Sequence, residues 1–166
     1  DQPFIVSYWG SLGAREMNKK IAQFFACEAA DGLPFRHIHA CGSFGWRWMP
    51  EYVKAQGVEL AGQDKIELRE FIYDMPQVMA AADLVICRAG AATIAEVAAS
   101  GTPCIMVPSP NVTDNHQEKN ARVLEARGAA AVLREAQCSG QVLYETAKSI
   151  LSDPARRRAM AMAAAQ

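Results

Sequence analysis

Short apolar runs that alternate with longer helical stretches constrain this fold more than any other sequence feature. The pattern predicts strands at residues 4–8, 36–41, 66–72, 84–87, 103–107 and 130–133. It predicts helices at residues 14–30, 46–56, 93–100, 115–127, 139–151 and from 154 onward, with a short helix after Asp74. The run 84–87 is apolar throughout, as expected of a strand that is covered on both faces.

This alternation predicts βαβ units, and therefore an α/β fold with a doubly wound, Rossmann-like parallel sheet. The chain has 166 residues, which suits a single domain over residues 1–166. A core strand so close to the first residue is typical of a piece taken from a longer protein, and we expect one here.

Composition excludes several classes of partner. The net charge of -1 offers no basic field for a nucleic acid backbone. No run of about 18 apolar residues predicts a membrane span, and no charged start precedes an apolar run as in a signal peptide. We therefore expect any membrane contact to be peripheral.

Cysteine and histidine do not indicate a metal site. The five cysteines form no Cys-x-x-Cys pair and favour reduced thiols, mostly buried. His37 and His39 lie two apart on a predicted strand and should share one face, but no third ligand is evident nearby. We expect no metal and no cofactor.

Three loops that follow predicted strands could bind a ligand, because ligands of open parallel sheets lie beyond the carboxyl ends of the strands. Residues 10–14 (GSLGA) combine glycines with a hydroxyl before a helix, which suits an anion or simply a tight turn. Residues 108–120 are polar and suit sugar hydroxyls, although Asp114 and Gln117 have capping-box spacing.

The loop at residues 88–96 (RAGAATIAE) follows the most apolar strand. Gly90 and the amides after it could hold a diphosphate, Arg88 could supply charge, and Glu96 could accept hydrogen bonds from a ribose diol. Thr93 and Glu96 also have capping-box spacing, which would occupy both side chains. Spacing alone leaves both interpretations open.

Four segments together resemble the MurG family of UDP-N-acetylglucosamine transferases, in glycosyltransferase family 28. Residues 87–96 resemble its donor-site signature, and residues 10–14 its glycine-rich loop. Residues 71–75 (FIYDM) resemble its uracil-side segment, and residues 114–121 (DNHQEKNA) its sugar-binding loop. The segments occur in the family's order and span nearly the whole chain.

The resemblance implies the C-terminal, donor-binding half of a GT-B enzyme that converts lipid I to lipid II in peptidoglycan synthesis. It implies that Ile72 meets uracil through its backbone and that Glu96 holds the ribose. The implied donor-binding set is Ser11, Gly13, Ile72, Arg88, Gly90, Ala91, Thr93, Glu96, His116, Gln117 and Asn120. Within it, His116 and Gln117 would contact the N-acetylglucosamine hydroxyls, and Asn120 would support them.

The resemblance also implies what these residues do not supply. In the family, the acceptor site, the membrane-facing patch and the proposed catalytic base belong to an N-terminal domain, so no catalytic residue is expected in this chain. The lipid-linked acceptor and the cytoplasmic face of the bacterial plasma membrane would be reached through that domain. Trp9 replaces a family glycine, and His116 stands where relatives often have glutamine.

Three alternatives remain open at this stage. One is the donor-binding subunit of a split, two-chain UDP-N-acetylglucosamine transferase. A second is half of a UDP-sugar epimerase of the same fold, for which His116 is the one candidate proton-transfer group. The third is a Rossmann-like domain for another nucleotide, although the loop at 9–14 lacks the Gly-x-Gly-x-x-Gly pattern.

Overall fold

The computed structural model describes residues 2–9, 14–110 and 116–165, and it shows a parallel sheet with helices on both faces. The strands are β1 (Phe4–Tyr8), β2 (Arg36–Ala40), β3 (Ile66–Arg69), β4 (Leu84–Cys87), β5 (Cys104–Met106) and β6 (Ala130–Val132). The helices are α1 (Arg15–Ala30), α2 (Gly42–Trp46), α3 (Met49–Ala55), α4 (Met75–Ala81), α5 (Ala91–Ser100), α6 (His116–Ala126), α7 (Gly140–Leu151) and α8 (Pro154–Ala164). A 3-10 helix, Glu135–Gln137, follows β6.

The strand order is β3-β2-β1-β4-β5-β6, and each adjacent pair is parallel. The order reverses between β1 and β4, which defines a topological switch point at the carboxyl ends of these two strands. The prediction of a doubly wound, Rossmann-like sheet is confirmed.

Alternating side chains of each strand enter two separate apolar clusters. Ile5 of β1 packs with α1 and α7, whereas Val6 packs with α4, α5 and α6 on the opposite face. Both are fully buried, as are all four residues of β4. This burial on both faces explains why β4 is a continuous apolar run, LVIC.

Two sequence predictions differ from the structure. The helix expected over residues 46–56 begins at Met49 instead, as α3, and the separate helix α2 ends at Trp46. Pro50 lies in the first turn of α3, where no helical N–H is needed, whereas inside a helix starting at residue 46 it would remove a hydrogen bond and clash with the preceding turn. The strand expected over residues 66–72 ends at Arg69. β3 lies at the edge of the sheet beside β2, which ends at Ala40. Gly42 N still donates to Glu70 O at 2.9 Å, but Gly42 already begins α2, so the strand pairing stops there.

A polar chain runs through the core between α1 and the sheet. Glu28 Oε1 lies 2.8 Å from His37 Nδ1, and Ser7 Oγ lies 2.6 Å from His37 Nε2 and 2.7 Å from His39 Nδ1. His39 Nε2 lies 2.8 Å from Asn18 Oδ1. His37 and His39 therefore share one face, as predicted, and all five side chains are at most 1% exposed.

The donors and acceptors from Glu28 to Asn18 determine where the protons of these hydrogen bonds lie. Asn18 donates through Nδ2 to the carbonyl of Cys41, so its Oδ1 must accept from His39 Nε2. Burial lowers the pKa of His39, so this side chain is neutral and its Nδ1 accepts a hydrogen bond from the Ser7 hydroxyl. The Ser7 oxygen in turn accepts a hydrogen bond from His37 Nε2. The last bond, between His37 Nδ1 and Glu28, must also contain one proton. Burial raises the pKa of Glu28, which agrees with a proton retained there.

The thiols are free, and four of the five are buried. Burial raises the pKa of Cys41 to about 11 and that of Cys104 to about 12, so these side chains act as apolar core residues. Within the described ranges, no helix has the length and apolar character needed to cross a membrane.

Candidate donor-binding site at the switch point

The candidate site lies where β1 and β4 end side by side. The loop after β1 contains Ser11 and Gly13, which are outside the described residues. The loop after β4 is short, with Arg88, Ala89 and Gly90 leading directly into α5. The register pairs Ser7 with Ile86, so the two loops leave the sheet next to each other.

The first turn of α5 has the properties of an anion site. Gly90 is the N-cap, with no side-chain cap, and the first intrahelical bond runs from Ile94 N to Gly90 O at 3.0 Å. The amides of Ala91, Ala92 and Thr93 therefore lack helical acceptors, and the helix dipole favours negative charge at this end. Among the described residues, a Cβ built on Gly90 meets Gln117 Nε2 alone, at 3.8 Å, so this part of the chain lets a ligand approach the backbone closely.

The capping-box interpretation of Thr93 and Glu96 is wrong. Because α5 begins at Ala91, both residues lie inside the helix and neither occupies the N-cap. Thr93 is partly buried and Glu96 is exposed. Capping of α5 therefore does not compete with a ligand for these two side chains.

Tyr8 is a polar group of this region that the sequence analysis did not select. It is the last residue of β1 and is 9% exposed. Burial is the main cause that raises the pKa of the Tyr8 phenol, and the neighbouring Cys87 raises it further. The nearby Thr93 hydroxyl acts in the opposite direction. The Tyr8 hydroxyl lies close to Thr93 but outside hydrogen-bond geometry, so it is a buried O–H near the first turn of α5 with no hydrogen-bond partner among the described residues.

Glu96 faces helix α4 across a small groove. A cavity of about 210 Å³ between α4 and α5 is lined by Pro76, Met79, Ala80, Glu96, Ala99 and Ser100. Ile72 and Tyr73 lie just before α4; Ile72 is 9% exposed and Tyr73 is 89% exposed. The structure thus places the predicted uracil segment and the predicted ribose ligand on the same side of α5.

Gln117 and Asn120 both bind the loop after β4, and Gln117 also ties it to the loop after β5. Gln117 Oε1 accepts from Ala89 N at 3.2 Å and from Ser109 N at 2.8 Å. Asn120 donates from Nδ2 to Ala89 O at 3.2 Å. These two side chains, predicted to meet a sugar, fix the backbone immediately before Gly90. The Gln117 amide orientation leaves Nε2, a donor, next to Gly90.

Within the described part of the chain, Arg88 contacts Glu135, Val107 and Trp9. Its Nη1 lies 2.7 Å from Glu135 Oε1 and 3.2 Å from the carbonyl of Val107. Its guanidinium carbon lies 5.7 Å from the centre of the Trp9 ring. Trp9, which replaces the family glycine, is 6% exposed and packs in the core cluster on the α1 side of the sheet.

A second cavity, of about 410 Å³, lies beside the site between α1 and α6. Its lining is Glu16, Lys20, Pro108, Ser109, Pro110, Glu118, Arg134, Glu135 and Ala136. None of the predicted donor-binding residues that the structure describes contributes to this lining. The larger cavity therefore adjoins the loop at 108–110 rather than the first turn of α5.

Comparison with known proteins decides the family. The model for the glycosyltransferase family 28 C-terminal domain matches residues 5–166. This chain belongs to glycosyltransferase family 28. It therefore carries the family's C-terminal domain, in agreement with the resemblance of its four segments.

Individual members of the family are also similar to this chain in sequence. The UDP-N-acetylglucosamine--N-acetylmuramyl-(pentapeptide) pyrophosphoryl-undecaprenol N-acetylglucosamine transferase of Acetivibrio thermocellus is 39% identical over 153 residues, which cover 92% of this chain and 40% of that protein. The transferase of the same name from Listeria monocytogenes is 38% identical over 165 residues, covering 99% of this chain and 44% of that protein. The chain thus spans less than half the length of these relatives.

Solved structures show the same fold. The crystal structure of Acinetobacter baumannii MurG matches with a TM-score of 0.80 and 28% identity, covering 99% of this chain and 47% of that one. The calicheamicin glycosyltransferase CalG4 matches with a TM-score of 0.71 at 21% identity, which is a likeness of fold. The family 28 domain therefore has the doubly wound architecture common to these GT-B enzymes.

Within this family 28 domain, most of the predicted site residues lie around the start of α5. Gly90, Ala91 and Thr93 belong to its first turn, Glu96 follows on the α4 side, and Gln117 lies beside Gly90. His116 is the first residue of α6. Ser11, Gly13 and residues 111–115 lie outside the described residues, so the loops that contain them remain predictions.

Proposed function

We propose that this chain binds UDP-N-acetylglucosamine as the donor half of an inverting transferase that glycosylates lipid I to form lipid II. The observation that carries the proposal is the uncapped first turn of α5 at the switch point, with Gly90 open on one side and Glu96 facing α4. The names of the curated relatives support the choice of donor and acceptor.

The proposed pose follows from the chemistry of each group. The diphosphate lies against the amides of Ala91 and Thr93, because helix N-termini bind anions. Glu96 accepts from the two ribose hydroxyls, and the backbone of Ile72 pairs with uracil. Ser11 and Gly13 complete the diphosphate site from the loop after β1.

The sugar is proposed to lie towards the start of α6. Gln117 Oε1 is already occupied by two backbone amides, so Gln117 can offer a sugar only its Nε2 donor. His116 and Asn120 are the other proposed sugar-side residues. These groups stabilise the departing UDP and orient the sugar, which is the donor half of the reaction.

The acceptor half of the chemistry is proposed to come from elsewhere. An inverting transfer needs a base near the acceptor hydroxyl, and we assign none to this chain. The lipid-linked acceptor and a peripheral contact with the cytoplasmic face of the membrane are proposed to involve the additional length of the relatives. We expect donor binding without turnover by this chain alone.

Thermal melts with UDP-N-acetylglucosamine, UDP-glucose and ADP test the proposal. A ligand at 100 times its dissociation constant stabilises a protein by about 2.7 kcal/mol, which raises Tm by about 5–10 °C for a domain of this size. We expect the largest shift with UDP-N-acetylglucosamine, a smaller one with UDP-glucose and none with ADP. Equal shifts with ADP, or none with any uridine nucleotide, would exclude the proposed site.

Substitution of Glu96 locates the binding. We expect Glu96→Ala to weaken UDP-N-acetylglucosamine binding about tenfold or more, because hydrogen bonds to a charged group are lost. Glu145→Ala, which removes an exposed carboxylate on α7, is the matched control. Isothermal titration of both variants measures the effect, and unchanged affinity in Glu96→Ala would remove Glu96 from the ribose site.

A further inference from the structure

The guanidinium of Arg88 joins the carboxyl ends of four strands. Arg88 follows β4, its Nη1 donates to Val107 at the end of β5, and its guanidinium carbon lies over Trp9 just after β1. The same Nη1 lies 2.7 Å from Glu135, which begins the 3-10 helix after β6. We infer that Arg88 and Glu135 form a brace that positions the diphosphate loop, so that Arg88 acts on the donor without touching it.

The brace lies in a partly buried setting where an ion pair is effective. The Arg88 and Glu135 side chains are 14% and 23% exposed. Among the described residues, none is directed at Glu135 Oε1 in hydrogen-bond geometry, so the contact is ionic rather than a well-aligned hydrogen bond. Lys20 donates to the Glu135 carbonyl at 3.3 Å, which ties the same short helix to α1.

The brace acts on the loop through its neighbour Ala89. The amide and carbonyl of Ala89 are held by Gln117 and Asn120, and Gly90 follows as the N-cap of α5. Residues 88–90 are therefore fixed at Arg88 by an ion pair and at Ala89 by two hydrogen bonds. Loss of the ion pair frees one end of this segment, so the amides that start α5 no longer point in a fixed direction.

This inference rests on the proposed function and opposes one expectation drawn from sequence. If Arg88 instead contacts the diphosphate, Glu135 competes with the ligand for the guanidinium. Removal of the Glu135 carboxylate would then leave UDP binding unchanged or make it tighter. In a brace, the same removal weakens binding, so the sign of the effect separates the two roles.

Isothermal titration with UDP supplies the test, with Tm measured for each variant to confirm folding. We expect Arg88→Ala and Glu135→Ala each to weaken UDP binding roughly tenfold, and the double variant to be no weaker than either single variant, because the two side chains act as one unit. Glu125→Ala, which breaks the exposed ion pair with Arg122, is the control and should bind as the wild type does.

Conservative variants separate positioning from simple charge. Arg88→Lys keeps the charge but loses the planar fork that serves both Val107 and Glu135, so we expect it to bind UDP about as weakly as Arg88→Ala. Restoration of wild-type affinity by lysine would overturn the brace. Glu135→Gln keeps an oxygen acceptor and should lie between wild type and Glu135→Ala.

Amide hydrogen exchange without ligand makes the test independent of the proposed function. We expect faster exchange at Ala89 and Val107 in Glu135→Ala, and unchanged exchange in Glu125→Ala. Absence of UDP binding in the wild type refutes the donor site and the ligand role of the brace together. UDP binding as tight in Glu135→Ala as in the wild type, with unchanged exchange, refutes the brace alone.

Discussion

Removal of one hydroxyl from the core should destabilise this domain severely. Ser7 is fully buried and lies 2.6 Å from His37 and 2.7 Å from His39. Ser7→Ala leaves a ring nitrogen of each histidine buried without a partner, and the space vacated by one oxygen is smaller than a water molecule. Each unsatisfied polar group costs about 1–3 kcal/mol, so the expected loss is about 2–6 kcal/mol.

The loss can be measured by urea unfolding and by thermal melts. Fluorescence of Trp9, whose ring lies 6.3 Å from that of His39, reports on this part of the core. At about 2–4 °C per kcal/mol for a domain of this size, Tm should fall by roughly 4–24 °C. Ser152→Ala, at an exposed position, should stay within about 0.5 kcal/mol of wild type.

A small change in the free energy of unfolding would refute this reasoning. If Ser7→Ala unfolds within about 0.5 kcal/mol of wild type with an unchanged denaturant slope, the histidines do not depend on the hydroxyl. The assignment of protons to the hydrogen bonds from Glu28 to Asn18 would then also be wrong, because Ser7 is the central residue of that series.

Two further predictions concern the hydrogen bonds from Glu28 to Asn18 and the candidate site. The pKa of Glu28 is raised, so its contribution to stability is greatest below the unfolded value of about 4.5 and is lost as pH rises through the folded value. Glu28→Gln mimics the protonated acid and should flatten this decline while the rest of the pH profile is retained; identical profiles would show that Glu28 releases no proton on unfolding. Gly90→Ala should leave Tm within about 1 °C, since its extended backbone (φ -68, ψ 156) accepts a methyl group and the described residues offer that methyl only an ordinary contact with Gln117 Nε2 at 3.8 Å, yet it should weaken UDP binding. Gly45→Ala is the contrasting variant, because its Cβ would lie 2.7 Å from Asn18 Nδ2 and should lower Tm; unchanged UDP affinity in Gly90→Ala would place the diphosphate elsewhere.

Side-chain partners across the sheet could not be read from the sequence. Gln117 and Asn120 were selected for their hydrogen-bonding groups, but their partner Ala89 lies 28 and 31 residues away. Spacing likewise could not show that α5 begins at Ala91, which excludes the capping box of Thr93 and Glu96. Tyr8 was missed because a tyrosine at the end of an apolar strand reads as core.

The sequence by itself determined the order of strands and helices, the burial of β4 on both faces and the family to which the four segments belong. Those properties depend on local periodicity and on residue type at fixed spacing, which one chain displays directly. The tertiary structure decided which strand ends meet. It placed Arg88 among the ends of β1, β5 and β6, and it joined Glu28 to Asn18 through two strands. Such contacts arise from chain crossovers that bring distant residues together, and no local pattern specifies them.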